Sequence, residues 1–307
     1  MTRVIVSRDK LVAVAEAIRE KSGTTNGLTL DEMPEVVSAI EATGEGFTFD
    51  QIATRDISGN VNLSVSSVSA YAFYGCTGVT SFAAPNATTI GGYTCYTASG
   101  LKGSLNFPVC TNIGTYAFYQ CTGITELNAP NVTTLGDYAF ARCTNIKTLS
   151  FPELTAIPVG AFGGSSTYKM LATSIELPKC ETIGNSSMTY FDKITRLVLP
   201  ECTSIGNSSC TNWATLAFVD LGKCTSIANY GLRNNGKLAT LIIRSETMCT
   251  LNNYALNSTA IWNGNGYVYV PGALIESYQV ATNWKTIYSK NANVFRAIED
   301  YPEITGG

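Results

Sequence analysis

The chain contains no histidine among its 307 residues. That absence excludes Ser–His and Cys–His nucleophile systems and any imidazole metal site. Charged residues make up only 14%, the formal net charge is −3, and the Lys and Arg are scattered. No basic stripe marks a nucleic-acid surface. No apolar run reaches the ~18 residues of a membrane span. There is no Gly-Lys-Ser/Thr phosphate loop and no CxxC pair. The acidic pairs Asp31–Glu32 and Glu299–Asp300 sit near the two ends and read as solvated surface. The segment Met1–Asp9 has no signal-peptide hydrophobic stretch. The expectation is a protein without catalysis, cofactor, metal, nucleic acid or membrane span.

What the chain does have is a repeat. Aliphatic anchors stand at Val68, Ile90, Ile113, Leu135, Ile157, Ile183, Ile205, Ile227 and Leu251, separated by 22, 23, 22, 22, 26, 22, 22 and 24 residues. Units of this size cannot bury their own apolar side, so they stack into a solenoid with one continuous core. Five residues after the anchors come Phe73, Cys95, Phe118, Phe140, Phe162, Met188, Cys210, Leu232 and Leu256, all apolar. An alternating stretch such as Ile124-Thr-Glu-Leu127-Asn-Ala129 then reads as a half-buried strand. Pro85, Pro108, Pro130, Pro152, Pro178 and Pro200 close these strands, because Pro cannot donate to a ladder. Gly91, Gly114, Gly136, Gly184 and Gly206 directly follow their anchors, where a tight corner calls for a flexible backbone.

The ten cysteines follow the same register. Cys110, Cys180, Cys202 and Cys224 precede an anchor by three residues. Cys76, Cys121 and Cys143 follow one by eight, and Cys95 and Cys210 by five. Cys249 alone is off register. Equivalent places hold Ala87, Val132 or Leu154, so Cys serves as a small buried apolar residue. A disulfide framework is the competing reading, and it fits poorly with the N-terminus.

Segments such as Ile113-Gly-Thr-Tyr-Ala-Phe-Tyr-Gln-Cys121-Thr-Gly-Ile-Thr-Glu-Leu-Asn-Ala-Pro130 resemble the BspA-like class of leucine-rich repeat over roughly residues 56–263. The resemblance implies a mainly β solenoid, right-handed, with stacked short parallel strands and turn-rich returns. It also implies surface binding rather than catalysis.

Residues 1–42 change period. Leu11, Val14, Ala15 and Ile18 mark one amphipathic helix; Val36, Val37 and Ile40, after Pro34, mark a second. The text Leu11-Val-Ala-Val-Ala-Glu-Ala-Ile-Arg-Glu-Lys-Ser-Gly with Leu28-Thr-Leu-Asp-Glu-Met-Pro resembles the N-terminal module of phage and prophage tail-associated structural proteins. The resemblance implies attachment to other tail proteins, or to further copies of this chain as a homo-oligomer. A plain cap over the open end of the stack is the other reading. Residues 43–55 read as linker and solenoid start, 56–263 as about nine repeats, and 264–307 as a C-terminal cap. In the cap, Gly266–Pro271 reads as a strand, Ala273–Thr282 as a helix, and Trp284 as buried.

Two surfaces invite ligands. Tyr71, Tyr93, Tyr116, Tyr138, Tyr230 and Tyr254 stand three residues after anchors; Tyr74, Tyr96 and Tyr119 stand six after. Stacking would align each set at ~4.8 Å, and Tyr offers a stacking face and a hydroxyl to sugars or proteins. Packing at the core edge is the plainer role, above all for the first set. The second surface is the strand face, with Ser81, Glu126, Asn128, Lys147, Thr148, Ser150, Arg196 and Asp220. From these, Tyr74, Tyr96, Tyr119, Glu126, Asn128, Lys147 and Arg196 are the candidate ligand contacts. The combined resemblance suggests a virion protein, assembled in the host cytoplasm, that binds a host-surface glycan or protein. The alternative is a bacterial leucine-rich-repeat adhesin or intracellular protein-binding scaffold.

Overall fold

The computed structural model describes residues 57–305. The proposed helical module at 1–42 and linker at 43–55 lie outside the described residues.

The chain winds as a β-solenoid of about nine turns. Each turn contributes a two-residue strand ending at an anchor: Ser67–Val68, Thr89–Ile90, Asn112–Ile113, Thr134–Leu135, Ala156–Ile157, Thr182–Ile183, Ser204–Ile205, Ser226–Ile227 and Thr250–Leu251. These pair in parallel, anchor on anchor, as Ile90 on Ile113 and Ile205 on Ile227. The ladder runs as four strands and then five, with a break between Leu135 and Ile157. All nine anchors are buried.

The alternating segments form the second side. Ser58–Asn62 pairs with Gly78–Ala83, Lys102–Asn106 with Gly123–Asn128, and Thr148–Ser150 with Ser174–Glu176. A continuous parallel sheet follows: Arg196–Leu199, Phe218–Leu221, Thr240–Ile243, Tyr267–Val270 and Phe295–Ala297. The Pro residues stand just past the strand ends, as expected.

The third side consists of consecutive turns, yet it is as regular as a sheet. Residues three, five and seven after one anchor donate their N–H to residues two, four and six after the next. Tyr116, Phe118 and Gln120 bond in this way to the carbonyls of Asp137, Ala139 and Ala141, each at 2.8 Å. The same triplet recurs at every junction from Val68 to Leu251. Aiming alternate N–H groups along one axis requires a left-handed residue in each turn. Three residues after each anchor φ is positive throughout: Tyr71, Tyr93, Tyr116, Tyr138, Gly160, Ser186, Ser208, Tyr230 and Tyr254. Hydrophobic spacing gives no hint of this strain.

The glycines after the anchors have a different role from the one expected. None of the five has a positive φ. A Cβ on Gly114 would lie 2.5 Å from the Gly92 nitrogen, and one on Gly136 2.2 Å from the Thr115 nitrogen. They allow neighbouring turns to approach, not the backbone to bend.

Length variations stay local. A β-bulge interrupts the pairing of Lys102–Asn106 with Gly123–Asn128: Gly103 (φ +82) stands opposite Ile124 and Ser104 opposite Glu126, which leaves Thr125 without a rung. The 26-residue unit places its excess before Met170 and Ala172, which are both buried. Residues 165–169 form the excursion, closed by a 3.0 Å bond from the Ser165 N–H to the Tyr168 carbonyl.

All ten cysteines are free and buried. Cys249 joins the ladder despite its spacing, with its sulfur 3.9 Å from that of Cys224. The two residues by which its unit exceeds 22 shift its sequence register but not its place in space.

The C-terminal segment continues the sheet. After strand Tyr267–Val270, a 3-10 turn at Gly272–Leu274 leads into helix Ile275–Val280 and a second helix, Trp284–Tyr288. Trp284 is fully buried and its indole donates to the Cys249 carbonyl at 2.7 Å. The Tyr278 hydroxyl accepts the Cys249 N–H at 2.8 Å. The second helix and strand Phe295–Ala297 were not foreseen, because no periodicity marks segments so short.

Candidate functional site

The left-handed residues carry their side chains outward in register. Tyr71, Tyr93, Tyr116 and Tyr138 form a stack with ring centroids 4.9, 5.0 and 4.8 Å apart and planes within 20° of parallel. Tyr74, Tyr96 and Tyr119 form a second stack at 5.0 Å spacing, within 9° of parallel. The two rows lie side by side, with cross-row centroid distances of 5.4 to 6.4 Å. Seven half-buried rings make one continuous aromatic surface.

The faces of the interior rings lie against each other and are covered, which leaves their edges for contact. Burial pushes the Tyr96 and Tyr116 hydroxyls up from the ordinary phenol range, with smaller contributions from neighbouring tyrosines.

Both rows have built ends. Tyr138 lies against Gly160, where a Cβ would stand 2.2 Å from the ring. In the second row the Arg142 guanidinium takes the next place, 5.3 Å from the Tyr119 ring and 5.1 Å from the Tyr168 ring. Tyr168 comes from the excursion, and its hydroxyl accepts from the Gln120 amide at 3.1 Å. Sequence reasoning missed Arg142 and Tyr168. The available signal was position: Arg142 stands seven residues after its anchor, directly beyond the tyrosine row. Tyr230 and Tyr254 form a separate stacked pair at 5.4 Å.

The strand face behaves differently. Glu126, Asn128 and Lys147 line one open groove of about 460 Å³ with Ser104, Asn106, Thr125 and Thr148. The groove lies between Gly123–Asn128 and Thr148–Ser150, which are not hydrogen-bonded as a pair. Ser104 donates to Glu126 at 2.6 Å, and Asn128 to Asn106 at 2.7 Å. Arg196 is elsewhere, its guanidinium 3.6 Å over the Phe218 ring. Asp220, expected on the surface, is buried and held by Arg244 through two bonds of 2.9 and 2.7 Å. It belongs to a small outer-face cluster with Ile242 and Tyr269, against which Tyr301 packs. The candidate contacts thus fall into three places: the tyrosine row, the groove, and Arg196 alone.

No group of His, Cys, Asp or Glu among the described residues is placed to hold a metal ion. Three of the thiols are poor nucleophiles through burial. Burial pushes Cys121 and Cys210 up to about 12 and Cys180 up to about 11.

Among solved structures, a leucine-rich cell surface protein of Faecalibacterium prausnitzii matches at 17% identity and a TM-score of 0.48, over 70% of this chain. The chain spans 64% of the length of that protein. A leucine-rich repeat protein of Bacteroides ovatus matches at 14% identity and a TM-score of 0.28, covering 82% of this chain and 94% of that one. The leucine-rich repeat domain of the type III effector XopL matches at 12% identity and a TM-score of 0.24, covering 90% and 99%. No curated protein matches the chain. The BspA-type leucine-rich repeat region matches residues 47–169 and 167–264 in six copies, and the chain belongs to that family.

Proposed function

We propose that this protein is a non-enzymatic leucine-rich-repeat binding scaffold of the adhesin kind, holding a surface glycan or protein through its tyrosine side. One observation carries the reading: seven stacked tyrosines present an unbroken aromatic surface across four turns and end at the Arg142–Tyr168 clamp. Tyr and Arg are the residue types that supply most binding energy at recognition surfaces. Family membership supports the reading, since repeat solenoids work as extended binding surfaces. The groove at Glu126, Asn128 and Lys147 is a second contact region for the same partner, and Arg196 lies outside both.

The virion reading rests on residues 1–42, outside the described residues, and nothing described here adds to it. Docking or self-association through those residues stays part of the proposal. A chain beginning at residue 47 would then keep ligand binding and lose its oligomeric state.

The test is binding of the whole protein to arrays of immobilised glycans and surface proteins, beside the Tyr96→Ala/Tyr119→Ala double variant. The variant is expected to lose the ligand that the parent holds. Equal binding by both proteins overturns the reading.

A further inference from the structure

The tyrosine side is a comb with a fixed pitch. Its rungs repeat at 4.8 to 5.0 Å along the solenoid axis, because ring spacing follows the spacing of the turns. The hydroxyls of Tyr93, Tyr96, Tyr116, Tyr119 and Tyr138 make no hydrogen bond to the described residues. None of these oxygens is a buried atom without a partner. They are therefore open in part to solvent, and each brings a donor and an acceptor. Every interior ring is clamped between two neighbours, so little side-chain freedom remains to be lost on binding. The rings carry no charge, and among the described residues the cation set against the rows, Arg142, stands at their end.

A ligand for such a comb must repeat in step with it. An extended peptide presents equivalent groups every second residue, about 6.6 Å apart, and falls out of register within a few rungs. A β-1,4-linked pyranose chain is a straight, neutral ribbon rich in hydroxyls; successive sugars are turned over, and equivalent groups recur every second sugar, an advance close to two rungs of the comb. An α-1,4-linked chain curls away from a straight row.

We propose that the tyrosine side binds a neutral, extended β-1,4-linked pyranose polymer laid along the solenoid axis, through hydroxyl edges rather than ring faces. The proposal rests on the binding reading above and adds the class and orientation of the ligand. The open hydroxyls lie on three successive turns, so about three sugars fill the comb.

The experiment is titration calorimetry of the full chain with cello- and chito-oligosaccharides of increasing length, and with malto-oligosaccharides of the same lengths. Affinity for the β-linked series is expected to rise about threefold with each added sugar, from the net worth of one hydrogen bond, and to level off near three. The double variant Tyr93→Phe/Tyr116→Phe keeps every ring and removes two hydroxyls. It is expected to melt with the parent and to bind about tenfold more weakly. No binding of the β-linked series, a flat length dependence, tighter binding of the α-linked series, or a Phe variant of parental affinity each overturns the proposal. If any of these occurs while Tyr96→Ala/Tyr119→Ala still abolishes binding to an arrayed ligand, the comb fails and the tyrosine side stands as a binding surface. If that variant binds as the parent does, both fail.

Discussion

Pro158 faces Leu135 across the junction where the anchor ladder breaks. At every other junction the residue after the anchor donates to the preceding anchor's carbonyl: Gly91 to Val68, Gly114 to Ile90, Gly136 to Ile113, Gly184 to Ile157, Gly206 to Ile183, Ala228 to Ile205 and Asn252 to Ile227. Proline has no N–H to give. The solenoid is thus joined at this one turn by its core, its third side and the pairing of Thr148–Ser150 with Ser174–Glu176, without an anchor rung.

Native-state hydrogen exchange should reveal the weaker junction. We expect residues 57–157 and 158–305 to open as separate cooperative units, each at less than the global free energy. Pro158→Ala restores a donor worth about 1 kcal/mol and should bring the two openings together. A single opening unit in the parent protein would show that the remaining contacts couple the halves without the anchor rung.

The three-rung ladder on the third side also ends abruptly. Amides of Phe118 and Phe140 should exchange slowly, because each bonds to the next turn. The N–H groups of Tyr254, Leu256 and Ser258 stand in the donor places of the last turn and bond to no acceptor among the described residues. They should exchange fastest of that column.

Phe118 and Phe140 stack in the core with centroids 5.3 Å apart, both fully buried. Replacing either by Ala should cost ~3–5 kcal/mol in denaturant unfolding. Lys147→Ala, at an exposed position, should stay within ~0.5 kcal/mol. A Phe118→Ala protein that melts like its parent would contradict the stacked core.

Tyr116 holds a φ of +54, a left-handed conformation that costs an ordinary residue about 1 kcal/mol or more. Tyr116→Ala keeps that strain and loses the stack, whereas Tyr116→Gly loses the stack and relieves the strain. The Gly variant should therefore be the more stable by about 1 kcal/mol, the reverse of the usual order. Thermal melts of the pair decide this.

The thiols set an alkaline limit. Cys121 and Cys210 hold their protons to about 12 when folded, through burial, against about 8.5 for a free thiol. Their folded values are raised, so their contribution is fully present below about pH 8.5 and declines as pH rises from there toward 12, by about 1.4 kcal/mol per pH unit for each thiol. Stability should be flat through neutrality and fall above about pH 9. Thiol counting should find all ten cysteines reduced, and unreactive to alkylating reagents until the chain unfolds.

Deleting Ser165–Tyr168 should leave the solenoid folded, since Met170 and Ala172 carry the core beyond the excursion. The Arg142 stack loses its Tyr168 face. Circular dichroism and melting check the first point. Loss of the whole fold would show that the excursion is part of the core.

The repeat was legible because a stack brings together residues at a fixed offset. Val68 meets Ile90, and Tyr93 meets Tyr116, for the same reason that their spacing recurs in the chain. Hydrophobic period, strand-closing prolines and the two tyrosine rows follow from that alone. Other features depend on the path of the backbone. Cys249 reaches Cys224 although its register is shifted, because the loop before it takes up the difference. Tyr168 closes over Arg142 from 26 residues away through an excursion with no repeat partner. Positive φ under the tyrosines, the ring faces turned toward one another, and the missing rung at Pro158 are likewise decisions of three-dimensional packing. Sequence determined which residues recur; only the tertiary structure decided which of their surfaces remain open, because that depends on how closely one turn lies upon the next.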